Sequence, residues 1–332
     1  MEFSVPADGD GKIISGLPSK NATGEIKEAY GNFLISDAIR DEAQETERHI
    51  GSLRGEGFRF NYLLDALCLD NLEFSRKGQK RLRRLLDRLM EIKINSVTVA
   101  NLYLVVWIKK NYPSMSITVS EAANVDSLNR AKFWENLGVD KITFPGPAVN
   151  RNFSLIRQLK GSLKCKIQLV ANNACVCNCP VYINHSLVTS HSSRGLRDKE
   201  EKAFDHNLSM CKLRRLERPV NFIRADWIRP EDVSFYEKLG VDSIKLSGGD
   251  VPSDIILKII NAYILRHHQG NLVDLFCFSY TMPGSMRIFI DNQKLDGFLE
   301  GMPRECDLTS CGKCGYCQMT ASHALKIDKG IL

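Results

Sequence analysis

No stretch of this 332-residue sequence stays apolar long enough to cross a bilayer. The best run, Val97 to Ile108, contains Asn101 and ends at Lys109, short of the ~18 residues a span needs. Met1 to Gly11 carries acids and a proline but no basic segment followed by an apolar one, so no secretory signal is expected and the chain reads as a soluble, cytoplasmic one with no membrane partner. A dominant charge sign is missing too: 45 Lys and Arg against 39 Asp and Glu leave +6, mild for this length. Nothing in the composition marks disorder or a fibrous repeat, and 43% hydrophobic residues suffice for one large core or two modest ones. Also absent are a His-Glu-x-x-His zinc motif and a convincing nucleophile and base pair for acyl transfer, which argues against the common hydrolase chemistries.

Cysteine is abundant. There are 11, and seven crowd into two short windows, a pattern that suits metal or cluster ligation in an unexported chain better than a disulfide framework. The first window reads Asn172-Asn173-Ala174-Cys175-Val176-Cys177-Asn178-Cys179-Pro180, with His185, His191 and Cys211 downstream. Cysteines alternating at 175, 177 and 179 do not all turn to one metal, so Cys175 and Cys179 are taken as ligands with Cys211, and Cys177 as a neighbour or spare. A proline after a cluster cysteine keeps the chain turning, as in ferredoxin-like runs. The second window places Cys306, Cys311, Cys314 and Cys317 around Gly312 and Gly315, glycines that let backbone wrap a compact centre. Iron–sulfur clusters and structural zinc both accept four thiolates, and spacing does not separate them. Cys68, Cys165 and Cys277 lie in apolar patterns and read as buried small hydrophobes.

Short β-branched runs alternate with helical patterns, the signature of βαβ units and a parallel sheet. Strands are expected at Phe3–Pro6, Gly57–Tyr62, Ser96–Ala100, Ser116–Ser120, Lys141–Phe144, Lys166–Val170, Asn221–Ala225 and Ser243–Leu246, eight in all and enough to close a barrel. Leu-Gly-Val-Asp occurs twice, at 137–140 and 239–242, each time closing a helix with a glycine suited to the left-handed C-terminal position and opening a strand. The expectation is an α/β fold: a TIM-like (β/α) barrel over residues 1–290 with an insertion at about 173–218, then a cysteine-rich C-terminal extension over 291–332. Barrels of this kind keep their chemistry at the C-terminal strand ends. Candidates by position are Asn61, Asn101, Asn172 and His191 for substrate and His185, Arg229, Lys245 and Glu121 for catalysis, with Asn173, Asp226 and Ser247 nearby. Arg76 to Lys93 forms an amphipathic helix whose basic face is solvated, or alternatively neutralises RNA phosphates.

Several segments together resemble peptidase family U32: Phe58–Leu64, Ser96–Asn101, Leu169–Asn172 through Cys179-Pro180, His185, Ser190-His191, Cys211 and Trp227–Asp232. The resemblance runs from the start of the chain to about residue 320. It implies a TIM-like barrel, an oxygen-labile [4Fe–4S] cluster held by about four cysteines, and oxygen-independent hydroxylation of an aromatic ring or an RNA base, with prephenate as oxygen donor; the two cysteine windows leave open one cluster or two, or zinc at Cys306, Cys311, Cys314 and Cys317. It also implies a related U32-type partner chain, since members act in pairs, and the family name records peptidase activity. Asn173 departs from a glutamate frequent in this branch, which would shift an acid's task to Glu121 or Glu231, and Cys177 is extra to the pattern.

Overall fold

The computed structural model describes residues 1–7, 11–17, 25–31, 51, 55, 57–192, 206–248, 251–277, 286–303, 306, 311 and 313–329. Eight parallel strands close into a barrel in chain order: β1 (Glu2–Pro6), β2 (Ile26–Gly31), β3 (Arg59–Leu64), β4 (Ser96–Val99), β5 (Ser116–Val119), β6 (Lys141–Phe144), β7 (Lys166–Val170) and β8 (Ser243–Lys245). Closure comes where β8 pairs back onto β1 through Ser243–Glu2, Ile244–Phe3 and Lys245–Ser4. Most strand positions are buried, as parallel strands covered by helices on one side and a packed interior on the other must be. This is the expected TIM-like α/β barrel.

Three details differ from expectation. Asn221–Ala225 is not a strand; Pro219 leads into a helix, Val220–Arg224, whose Phe222 and Ile223 are buried. The missing strand is β2, which escaped notice because Lys27 and Glu28 interrupt its apolar run. Strand β3 ends two residues later than expected, so the residue leaving it is Asp65.

The repeated Leu-Gly-Val-Asp segments do the same work twice. Gly138 and Gly240 adopt φ of 84° and 89°, a backbone region that favours glycine, and each ends a helix. The aspartate that follows ties the preceding βα unit together: Asp140 accepts from the Ile117 amide at 2.8 Å and from Lys109 at 3.1 Å, while Asp242 accepts from the Ile167 amide and from Lys160, both at 2.8 Å.

Polar side chains fill part of the barrel interior. Lys141 donates to both Glu28 oxygens at 2.8 and 2.9 Å, and Ser4 adds a hydrogen bond at 2.8 Å. Burial alone would raise the Glu28 carboxyl, but the Lys141 ammonium outweighs it and holds the group below its ordinary value. Outside the barrel, the Arg76–Glu91 helix buries Leu86 and Leu89 fully and leaves most of its basic residues in solvent. The C-terminal part pairs β9 (Met286–Ile290) with β10 (Leu325–Lys329) in a two-stranded antiparallel sheet, and the Tyr316–Ala324 helix packs on the Val220–Arg224 helix. Among the described residues no helix is long and apolar enough to cross a membrane.

Candidate functional site

Beyond β7 the chain turns across the C-terminal mouth of the barrel. Ala174 and Asn178 take the left-handed region, with φ of 52° and 47°. Such residues are costly for L side chains and persist only where the surroundings impose them. Here the Asp226 amide donates to the Cys175 carbonyl at 3.0 Å and the Asn178 amide to the Pro147 carbonyl at 3.1 Å. Between these two turns the three cysteines separate.

Cys175 and Cys179 line a cavity of about 470 Å³ together with Cys211, from the His206–Glu217 helix, and Cys277. Arg215 lies one turn after Cys211 on the same helix. It donates to the Cys211 sulfur at 2.8 Å and to the Ala174 carbonyl, tying the helix to the loop. Burial pushes the Cys175 thiol well above its ordinary value, with the Asp226 carboxyl adding to the effect, and burial likewise raises Cys179. Burial also lifts the Asp226 carboxyl itself to about 7.

Asp65 and Glu121 also line the cavity, and Lys245, outside its lining, is held against Glu121. Lys245 donates to the Glu121 oxygens at 3.0 and 3.1 Å, and its ammonium stands 4.8 Å from the Tyr30 ring centre. Burial disfavours the Lys245 ammonium, yet Glu121 and then Asp65 overcome this and raise its pKa. Asp65 is raised as well, chiefly by burial and against the pull of Lys245, with Glu121 adding to it. The Glu121–Lys245 pair and the raised Asp65 carboxyl are thus electrostatic neighbours. His185 lines the same cavity from the Tyr182–Ser192 helix, and the Tyr182 hydroxyl donates to the Glu121 carbonyl at 3.3 Å.

Other expected site residues are committed elsewhere. Asn61 sits inside the barrel, accepting from Thr98 at 2.8 Å and donating to Thr118 at 3.3 Å. Asn101 caps the Leu102–Asn111 helix through the Leu104 amide and donates to Glu73 at 2.8 Å. Asn172 is fully buried and brackets Ser247, accepting from its amide and donating to its carbonyl, with the Cys277 sulfur 3.4 Å away. Arg229 grips Asp232 with two hydrogen bonds of 3.0 and 2.9 Å and reaches the Asn292 carbonyl and Asp296. None of these four lines the cavity, because their polar atoms are used in holding the scaffold. The His191 side chain lies outside the described residues.

A second group of sulfurs forms on the opposite side of the loop. Cys177 hydrogen-bonds Cys311 and lies within electrostatic reach of Cys306, while Cys317 is within reach of both Cys306 and Cys311. Cys314 is exposed. Cys177, expected as a neighbour or spare of the first group, thus lies among the sulfurs of the second. Among the described residues no three Cys, His, Asp or Glu side chains converge as one metal ion requires.

The sequence model of peptidase family U32 matches residues 66–195, which include the strand ends carrying Asp65's neighbour Ala66, Glu121 and the cysteine loop. A protein of Methanocaldococcus jannaschii (strain ATCC 43067 / DSM 2661 / JAL-1 / JCM 10045 / NBRC 100440), named "Uncharacterized protease MJ1657", is 30% identical over 318 residues, covering 95% of this chain and 89% of that one. The chain belongs to peptidase family U32. The solved structure titled "The Structure of the U32 Peptidase Mk0906" superposes on this U32 chain with a TM-score of 0.56 at 20% identity, over 76% of this chain and 95% of that one, a likeness of fold.

Asp65, Tyr182 and Cys277 are cavity residues that sequence reasoning passed over. Asp65 had a positional signal, hidden by the two-residue error in the end of β3. Cys277 lay in an apolar run that masked its role at the barrel mouth, where it donates to the Ser247 carbonyl at 3.1 Å.

Proposed function

We propose that this U32 chain is an iron–sulfur enzyme that carries out oxygen-independent hydroxylation, or a related redox modification, of a small molecule held in the barrel-mouth cavity. The observation behind this reading is one cavity lined by Cys175, Cys179, Cys211 and Cys277 together with Asp65 and Glu121, the latter bonded to Lys245. The donor set fits a [4Fe–4S] cluster: soft thiols, a guanidinium hydrogen bond on the Cys211 sulfur, and open space beside them. Cys175, Cys179 and Cys211 would hold the cluster, with Cys277 as fourth ligand. When bound, such a cluster supplies electrons and an iron site for an oxygenated group.

The chain's own residues supply the rest. Arg215 holds Cys211 and the loop in register, so that the ligands keep one spacing. Lys245 fixes the Glu121 carboxylate as a hydrogen-bond acceptor at the cavity wall. Asp65, buried and raised, is the proton donor, and His185 stands on the neighbouring helix to relay protons to solvent. At about 470 Å³ the cavity matches a small organic molecule such as an aromatic acid. An oxygen donor of the prephenate type would enter by the same mouth.

Peptidase activity is the second reading, favoured by the relatives' names and by His185 sharing a cavity with three thiols of the loop and helix. A cysteine peptidase needs a thiolate at neutral pH, and burial moves Cys175 and Cys179 the other way. Anaerobic purification followed by iron, sulfide and zinc analysis separates the readings. A brown protein whose iron falls by about four per chain in the Cys175→Ser/Cys179→Ser variant is expected. A colourless protein that cleaves peptides and loses that activity in Cys211→Ser overturns the proposal.

A further inference from the structure

The sulfurs on the far side of the loop have no part in the cavity chemistry. Cys177, Cys306, Cys311 and Cys317 gather between the barrel and the C-terminal segment, with Cys177 contributed by the barrel-mouth loop and the other three from beyond β9. Cys177, Cys306, Cys311 and Cys317 are all partly buried, and Cys306 and Cys317 pack against the hydrophobic core.

Two arginines lean on this group. Arg151 is 2% exposed and stands within electrostatic reach of Cys177 and Cys317. Its Nη1 donates to the Ile223 carbonyl at 2.6 Å, but Nε and Nη2 are buried with no hydrogen-bond partner. The guanidinium stands against two neighbouring rings, 4.1 Å from the centre of Trp227 and 4.9 Å from that of Phe298. Arg224 reaches the Cys311 carbonyl at 2.5 Å through Nη2, and its Nε is buried and unpartnered as well. Asp226 is another charged group near Arg151, and its carboxyl oxygens are themselves without hydrogen-bond partners. Buried cationic donors left open are expensive, and proteins keep them where a bound group completes them. Four thiolates with their metal carry net negative charge, which is what two fixed guanidinium groups would complement.

We propose that Cys177, Cys306, Cys311 and Cys317 bind a second iron–sulfur cluster, distinct from the barrel-mouth centre, with Arg151 and Arg224 neutralising its charge and Cys314 outside the ligand set. Four soft thiols beside fixed guanidinium groups suit an iron–sulfur cluster, and zinc, which accepts the same donors, is the outcome that metal analysis separates from it. Chain length alone keeps the Cα atoms of Cys175 and Cys177 within ~7 Å, so the two centres are adjacent.

The test uses the full chain, purified anaerobically, with iron, sulfide and zinc analysis and electron paramagnetic resonance after reduction. About eight irons per chain are expected in the parent, about four in Cys177→Ser and again in Cys317→Ser, and the full complement in Cys314→Ser, with one of two resonance signals missing from the first two. Circular dichroism accompanies each variant. Cys317→Ser and Cys314→Ser differ by three positions in one segment, so a folding defect in Cys177→Ser leaves the comparison intact. Full iron in both Cys177→Ser and Cys317→Ser, a loss in Cys314→Ser, or zinc in place of half the parent's iron overturns the inference. The Cys175→Ser/Cys179→Ser variant keeps it apart from the enzymatic proposal: about four irons retained there, and removed by adding Cys177→Ser, supports the second centre even if the first is absent. If Cys177→Ser loses no iron while that double variant loses all of it, the barrel mouth holds the sole cluster and this inference fails alone.

Discussion

Glu28 and Lys141 face each other inside the barrel with both carboxylate oxygens engaged, and the pair exposes a sharp asymmetry between losing one partner and losing both. Lys141→Met leaves a buried carboxylate unmatched and should cost about 3–5 kcal/mol, while Glu28→Gln/Lys141→Met should recover most of that. Because the folded Glu28 carboxyl sits below its unfolded value, its stabilisation is complete at neutral pH and is lost as pH falls through the folded value. Urea midpoints measured from pH 7 downward should therefore fall more steeply for the parent than for the double variant; parallel curves would refute this. Asn101→Ala should cost about 1–3 kcal/mol, since it removes a helix cap and a partner of buried Glu73, yet leave iron content and substrate KM unchanged. A raised KM would return Asn101 to the substrate. At this scale Cys175, Cys179 and Glu121 were legible as cavity residues because they follow strands β7 and β5, while Cys211 and His185, which two helices bring to the same cavity, were legible by residue type alone. Asn61, Asn101, Asn172 and Arg229 were not legible as scaffold, because a polar side chain at a strand end looks the same whether it faces a substrate or a neighbouring carbonyl.

The repeated Leu-Gly-Val-Asp elements carry a prediction of their own. Gly240→Ala puts a methyl group on a residue at φ 89° and 2.7 Å from the Lys160 side chain, and should cost about 1–2 kcal/mol. Asp242→Ala should cost a similar amount, about 1–3 kcal/mol, by orphaning the Ile167 amide. Denaturant midpoints of the two single variants and their combination check both values, and additive losses would mean that turn and clamp act independently. Seven of the eight barrel strands could be read from β-branched runs bounded by turns. The eighth, β2, could not, because the Glu28 that breaks its apolar pattern is neutralised by Lys141, a residue 113 positions away on β6. The segment around Phe222 looked like a strand because two buried side chains in a row fit a short helix equally well.

At the scale of the whole molecule, the C-terminal segment is joined to the barrel rather than appended to it. The Tyr316–Ala324 helix packs on the Val220–Arg224 helix, the Phe298 ring lies 5.4 Å from that of Trp227, and Arg229 donates to the Asn292 carbonyl at 2.9 Å. Calorimetry of the parent should therefore give one cooperative transition, and removal of residues 303–332 should lower its midpoint; two separate transitions would mean that the segment folds by itself. The closed barrel and its order were legible because sequential βα units leave few topologies. The division of the cysteines was not, since it depends on a loop bent by two left-handed residues, Ala174 and Asn178. Most connections on a protein surface drift in length over evolutionary time, gaining and shedding residues at little cost. This one is closed to such drift: a single inserted or deleted residue between Ala174 and Asn178 would turn the cysteines onto the wrong sides, so its length should be as invariant among relatives as the cysteines themselves.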